Sequence, residues 1–156
     1  MRISVIAIGT RMPAWVDAGV QEYSRRLPRE IQLHWREIPL AKRSRAGNPR
    51  QALAREGEQM LKSLTRGDRV IALDVAGKSC TTEALAKQLD DWQMSGEQIA
   101  LLIGGPDGLS PECLQRADQR WSLSALTLPH PLVRVVLAEQ LYRAWTITAN
   151  HPYHRD

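Results

Sequence analysis

The chain has 156 residues, 43% of them hydrophobic, which is enough to form one compact domain with a substantial buried core. No apolar run approaches the roughly 20 residues of a membrane span, and the N-terminal sequence lacks the features of a signal peptide, so we expect a cytoplasmic protein with no membrane contact and a single domain over residues 1–156. The net charge is +4, and the positive excess lies in residues 1–50, with 10 Lys or Arg against 4 Asp or Glu. Cys80 and Cys113 have neither a disulfide-framework nor a zinc-site spacing, so no metal is expected.

The first half of the chain alternates β-type and helical patterns. A buried strand is predicted at residues 3–8 and a half-buried strand at residues 31–38, where apolar and polar residues alternate. A helix from Pro13 to about Leu27 separates the two strands. Asn48 followed by Pro49 is a good cap and first turn for the next helix.

The second half continues the alternation. Strands are predicted at residues 69–75, 98–105 and 121–126. The helices between them begin at Thr81 or Thr82, ending near Gly96, and at Ser110 with Pro111, and a long final helix begins at Pro131. Five strands with intervening helices predict an α/β fold, a mostly parallel sheet with helices on both faces.

Ligands of such sheets bind at the carboxyl ends of the strands, and three of these ends have unusual sequences. They span residues 73–77, 103–108 and 124–131. The first, within "ALDVAGKS", is one residue short of a phosphate-binding loop, because Ala72 stands where that pattern needs its first glycine. A strand followed by a turn at Gly77 is favoured over a nucleotide site, although Asp74 could still face a ligand.

The second end, "IGGPDGLS", has two adjacent glycines before a proline. Gly104 and Gly105 permit positive φ and lack Cβ atoms, which would let a flat ligand lie against the main chain. Spacing alone favours an ordinary turn, so both interpretations remain open.

The third end leads into "SALTLPHPLVRVVLAEQLYRAW". Pro129 and Pro131 stiffen the loop around His130. Apolar residues then cover nearly the whole circumference of the helix, which predicts burial against the sheet and against a second subunit. Arg134 and Glu139 need partners in this apolar setting, either as a structural ion pair or in an active site.

Two further segments carry charge or aromatic groups. Residues 42–50, "KRSRAGNPR", form a basic segment with Lys42, Arg43, Arg45 and Arg50, which suits a polyphosphate partner but is equally typical of a solvated loop. Residues 149–156, "ANHPYHRD", form the tail. It could be a frayed end, or an outward-projecting arm that stacks on an unstacked base.

Together these segments resemble the ribosomal RNA large subunit methyltransferase H family, the pseudouridine N3-methyltransferases of the SPOUT class. The resemblance extends from end to end and rests on "AIGTRMPAWV", "EYSRRLP", "EGEQML", "LLIGGPDGLS", "SLSALTLPHPLVRVVLAEQLYRAW" and "NHPYHR". It implies a C-terminal trefoil knot, a homodimer, S-adenosylmethionine as methyl donor without a metal, and a pseudouridine of 23S rRNA, in the ribosome or its large subunit, as target.

The resemblance also implies site residues. The cofactor pocket would be lined by Leu73, Gly104, Gly105, Ser124, Ala125, Leu126, Thr127, Leu128 and Pro129. His154 is the candidate base, Tyr153 and Arg155 would orient the nucleotide, and Glu139 with Arg134 would support the pocket. The competing classes are a non-catalytic RNA-binding or ribosome-assembly module and, third, an NTPase using "AGKS".

Overall fold

A computed structural model describes residues 1–43 and 48–155. The strands are β1 (Arg2–Ile8), β2 (Gln32–Ile38), β3 (Arg69–Ser79), β4 (Ile99–Ile103) and β5 (Gln119–Ser122). The helices are α1 (Ala14–Ser24), α2 (Pro49–Lys62), α3 (Thr82–Ser95), α4 (Pro111–Arg116) and α5 (His130–Thr148), followed by a 3-10 turn at Pro152–Arg155. The strands form one sheet in the order β2-β1-β4-β3-β5, and all four strand pairs in the described ranges are parallel.

The two faces of the sheet are covered by different helices, because successive side chains of a strand point to opposite faces. Ile3 and Val5 of β1 lie in a core with side chains of α3 and α5, including Leu89 and Leu141. Residues Ile6 and Ile8 lie in a second core with side chains of α2 and α4. Helix α1 packs beside α5. The predicted parallel sheet with helices on both faces is confirmed.

Most predicted helix ends are also found. The side chains of Asn48, Thr81 and Ser110 cap α2, α3 and α4, each accepting a hydrogen bond from a backbone N–H of the first turn. Gly96 ends α3 in the left-handed conformation, with φ of 71°. Among residues 1–43 and 48–155, no helix combines the length and the apolar character needed to cross a bilayer.

The strands differ from their predicted bounds most at the ends of β3 and β5. Strand β5 ends at Ser122 rather than at residue 126, because the Ser122 hydroxyl donates to the Ser124 carbonyl (3.0 Å) and the Ser124 hydroxyl accepts from Leu126 N–H (2.9 Å). These local bonds replace strand pairing and form a loop.

Strand β3 continues to Ser79, so the turn predicted at Gly77 is wrong. Its pairing with β5 shifts between Leu73 and Lys78, both of which lie opposite Trp121. Gly77 allows this close approach, since a Cβ there would lie 2.7 Å from the Arg120 carbonyl carbon. The "AGKS" segment is therefore strand and lacks the loop-to-helix geometry of a phosphate-binding loop.

Candidate ligand cavity and C-terminal tail

A cavity of about 780 Å³ opens at the carboxyl edge of the sheet. Its walls come from the same three strand ends that the sequence singles out: residues 73–75, 103–109, 121–124 and 126–130, with Val133 of α5. Eight of the nine predicted cofactor residues line it: Leu73, Gly104, Gly105, Ser124, Leu126, Thr127, Leu128 and Pro129. The ninth, Ala125, is exposed on the same loop and does not line the cavity.

The glycine-rich loop, residues 104–108, forms one wall, and its glycines are also required by packing within the protein. A Cβ on Gly104 would lie 2.4 Å from the carbonyl carbon of Gly108, and one on Gly105 would lie 3.0 Å from Ile8 Cγ2. The missing Cβ atoms therefore make room for the protein's own packing. Positive φ occurs in this loop at Gly108 (78°), whose N–H donates to the Gly105 carbonyl at 3.0 Å.

The opposite wall is the loop between β5 and α5. Leu126 is 74% exposed there, although it lines the cavity. The Pro129 carbonyl begins α5 by accepting from the N–H groups of Leu132 (3.0 Å) and Val133 (3.1 Å). A largely exposed apolar side chain at the mouth of a cavity provides surface that a ligand can cover.

His130 lies at the first turn of α5 and lines the cavity. Its Nδ1 is buried and has no hydrogen-bond partner in the described structure. Burial, with a smaller effect from the Arg134 guanidinium, lowers the pKa of His130. Both effects favour the neutral form of the ring.

Arg134 is 3% exposed and forms the structural ion pair that the sequence left as one of two alternatives. Its Nη1 donates to Glu37 Oε2 at 2.5 Å, and its Nη2 donates to the carbonyls of Ile8 (3.3 Å) and Gly9 (2.8 Å). Arg134 therefore ties the start of α5 to the carboxyl ends of β1 and β2.

Glu139 organises the tail. Its Oε1 accepts from the Tyr153 hydroxyl at 3.0 Å and from Arg143 Nε at 2.8 Å. The Tyr153 ring packs against Tyr142 with 4.6 Å between centroids. Burial and the Glu139 hydrogen bond raise the pKa of Tyr153 to about 12, so this hydroxyl stays protonated at neutral pH and acts as a donor.

The tail folds back onto α5, so the predicted outward projection is wrong. Asn150 adopts a left-handed φ of 54°, and His151 N–H donates to the Thr146 carbonyl at 2.8 Å. His154 is half-buried with an unpartnered, buried Nδ1, whereas Arg155 is exposed.

Within one chain, the tail and the cavity are separate. Tyr153, His154, Arg155 and Glu139 do not line the cavity. The tail packs at Tyr142, nine residues beyond Val133 at the cavity wall, which corresponds to roughly 14 Å along the helix. One chain thus brings the predicted cofactor residues together but keeps the predicted catalytic residues away from them.

The cations of the basic segment differ in their surroundings. Lys42 and Arg50 are exposed, whereas Arg43 points inward and pairs with Glu56 and Asp107. Arg45, also predicted to belong to this segment, lies outside the described residues.

Sequence reasoning missed several residues around the cavity. Trp121 and Val133 line it, and both were predicted as ordinary members of a strand and a helix.

Glu56, which lies away from the cavity, was also missed, although the sequence could have identified it. It shares a helical face with Ala52 and Met60, which are buried, and a charge on such a face needs a partner.

A parallel sheet with a ligand cavity between three strand ends defines an α/β protein of the small-molecule-binding kind. Residues 1–154 match the family model described as "Predicted SPOUT methyltransferase". The chain belongs to the SPOUT methyltransferase family.

Curated relatives agree with this assignment. The chain is 61% identical to the Ribosomal RNA large subunit methyltransferase H of Saccharophagus degradans, over 99% of this chain and 100% of that protein. It is 56% identical to the protein of the same name from Hahella chejuensis, over 100% of both chains, and 53% identical to that of Marinomonas sp., over 99% of this chain and 100% of the relative. The resemblance predicted from the motifs is confirmed.

A solved structure supports the fold alone. The structure of a probable methylase family protein from Haemophilus influenzae superimposes with a TM-score of 0.61 at 13% identity, over 97% of this chain and 69% of that one.

Proposed function

We propose that the protein transfers the methyl group of S-adenosylmethionine to N3 of a pseudouridine in 23S rRNA, on the assembled ribosome or its large subunit. The observation that carries this proposal is the cavity at the carboxyl edge, lined by eight of the residues expected to hold the cofactor. The names of the three relatives, each a large-subunit rRNA methyltransferase, support the class of substrate.

The cavity suits the cofactor. Its volume of about 780 Å³ falls in the range of roughly 300–1,000 Å³ of small-molecule sites. Leu73 and Leu126 offer apolar surface, and the glycine-rich loop and residues 123–129 offer main-chain groups. When bound, S-adenosylmethionine supplies an already electrophilic methyl group. The protein must therefore orient the nucleotide and accept the proton that its imide nitrogen loses.

The tail is proposed to perform that task. His154 accepts the proton of the imide nitrogen, and its only half-buried side chain leaves part of the ring exposed to a group from outside the chain. Tyr153 stays protonated and donates its one hydroxyl hydrogen to Glu139, so it orients the nucleotide by accepting a hydrogen bond at the hydroxyl oxygen. The exposed Arg155 binds a phosphate.

A homodimer is part of the proposal, with the tail of one copy completing the cavity of the other. The separation of tail and cavity within one chain supports it. So do partly exposed apolar side chains on two neighbouring helices: Leu132 and Val136 of α5 are only half-buried, and Trp15 of α1 is 57% exposed. The C-terminal trefoil knot belongs to the same proposal and rests on family membership.

The rRNA-binding face is proposed to be the basic segment and its surroundings. Lys42, Arg50 and Arg55 are exposed and lie near the start of α2. Exposed cations of this kind bind phosphates without reading sequence. Methyl transfer on rRNA also implies a cytoplasmic location, and its chemistry needs no metal.

Titration calorimetry with S-adenosylmethionine tests the cofactor part. We expect saturable binding that EDTA does not alter, and about tenfold weaker binding for Leu126→Ala, which removes apolar surface that the ligand would cover. Met94→Ala is the matched control, because Met94 is 80% exposed on α3 and does not line the cavity.

Absence of heat with the wild-type protein at millimolar cofactor would favour a non-catalytic RNA-binding module. Equal affinities for Leu126→Ala and the wild type would place the cofactor elsewhere.

A further inference from the structure

A buried carboxylate lies beneath the basic segment. Glu56 of α2 is 2% exposed, and its Oε2 accepts from Arg43 Nη1 at 2.9 Å and from Ala41 N–H at 2.9 Å. Arg43 Nη2 lies 3.4 Å from the other carboxylate oxygen. A carboxylate removed from water in this way needs such a partner, so the pair fixes the guanidinium in place.

The same guanidinium reaches the cavity wall. Arg43 Nε donates to Asp107 Oδ2 at 2.7 Å, while Nη1 also donates to the Ala41 carbonyl at 2.9 Å. Asp107 belongs to the glycine-rich loop and lines the cavity. Arg43 thus connects α2 directly to a wall of the cavity.

The Asp107 contact ties down the exposed tip of that loop. Pro106, Asp107 and Gly108 are exposed, whereas Leu109 and Ser110 on their C-terminal side are buried. Within the tip, the hydrogen bond from Gly108 N–H to the Gly105 carbonyl closes the turn but does not join it to the rest of the protein. The Arg43–Asp107 ion pair does so.

We propose that Arg43 is a positioning residue for the cofactor site: anchored by Glu56, it holds Asp107 and so fixes the glycine-rich loop in the shape that the cofactor binds. The identity of the ligand rests on the proposed function, whereas the effect on the loop does not. Arg43 is therefore occupied by two carboxylates of its own chain, and the rRNA-binding role of the basic segment is left to other residues such as Lys42 and Arg50.

The anchoring makes this ion pair more effective than an ordinary surface pair. An exposed pair usually stabilises little, because two long side chains lose conformational freedom to form it. Here the Arg43 side chain is 25% exposed and already held by Glu56, so the contact orders mainly the short Asp107 side chain. The planar guanidinium can bind both carboxylates at once, which a lysine ammonium in the same place cannot reproduce.

The experiment uses the full-length protein with four single variants and one double variant. Asp107→Ala removes the loop contact while leaving the buried Arg43–Glu56 pair intact, Asp107→Glu keeps a carboxylate, and Arg43→Lys keeps the charge beside Glu56 but loses the forked contact. Glu97→Ala is the control, since it breaks an ion pair with Arg69 (3.1 Å) of similar exposure at the amino edge of the sheet.

Hydrogen–deuterium exchange without cofactor measures directly how firmly the glycine-rich loop is held. We expect faster exchange in the peptide covering residues 104–109 for Asp107→Ala and Arg43→Lys, near wild-type exchange for Asp107→Glu, and no change for Glu97→Ala. Unchanged loop exchange in Asp107→Ala would overturn the proposal, whatever the ligand is.

Calorimetry and kinetics with S-adenosylmethionine measure the effect of the loop contact on cofactor binding and on the reaction rate. For Asp107→Ala and Arg43→Lys we expect about fivefold higher Kd and KM, on the scale of one ion pair, with little change in kcat at saturating cofactor. Combining the two substitutions should add nothing further, because both remove one contact. If Asp107→Ala weakens binding but Arg43→Lys does not, Asp107 contacts the cofactor itself and Arg43 has no positioning role. Failure of the wild-type protein to bind S-adenosylmethionine would instead refute the proposed function.

Discussion

His154→Ala is expected to lower the single-turnover rate of methyl transfer by about 10²–10⁴-fold, the usual contribution of a general base, with cofactor affinity unchanged. The imidazole would act on the N3 proton of the nucleotide and not on the adenosine, so cofactor binding would not depend on it. The His154 side chain is only half-buried, so part of the ring is exposed to such an external contact. Single-turnover methylation of ribosomes, alongside calorimetry with S-adenosylmethionine, measures both quantities.

The control for this variant is His34→Ala, which removes an exposed imidazole on β2. It should retain the wild-type rate. If His154→Ala also retains that rate, the proton acceptor must be sought elsewhere, and His130 becomes the next candidate because its ring lines the cavity and burial lowers its pKa.

Arg134→Met is expected to lower the free energy of unfolding by about 3 kcal/mol, since hydrogen bonds to a charged group are worth about 1.5–3 kcal/mol each and buried acceptors lose their donor. The methionine replaces much of the buried stem. It leaves the carbonyls of Ile8 and Gly9 without the guanidinium that serves them in the native structure.

Urea unfolding followed by tryptophan fluorescence provides this value. Arg143→Met is the comparison, because Arg143 is 26% exposed and pairs with Glu139 one turn away on the same helix. Its loss should cost only about 0.5 kcal/mol. Equal destabilisation by the two substitutions would show that Arg134 does not join α5 to the sheet in the way described.

The strands and helices followed from hydrophobic periodicity and capping residues, because these signals are local. Asn48 and Thr81 act as caps where the sequence predicts them. The end of β5 did not follow, since the Ser122 and Ser124 hydroxyls redirect the backbone through their own hydrogen bonds. Apolar residues such as Leu123 and Leu126, which suggested a longer strand, lie at the cavity instead.

The cavity wall was predictable because the carboxyl ends of parallel strands meet at one edge of a sheet. The packing role of Gly104 was not predictable, because its missing Cβ accommodates Gly108, four residues away in a turn whose shape the sequence does not specify.

Contacts between segments far apart in the chain could also not be predicted from the sequence. Tyr153 reaches Glu139 only because the chain reverses at Asn150, and Arg43 reaches Asp107 across 64 positions. Each pairing depends on the finished fold, so charge and aromatic content could identify the segments but not their partners.

The central claim is tested most directly by mass spectrometry of 23S rRNA. Ribosomes or large subunits lacking the modification would be incubated with the purified protein and S-adenosylmethionine, and the digested nucleosides compared with those from a reaction without protein. We predict one new methylated pseudouridine carrying the methyl group at N3, formed only when cofactor and protein are both present. A protein that binds S-adenosylmethionine but leaves every pseudouridine of the ribosomal RNA unmethylated would contradict the proposed function.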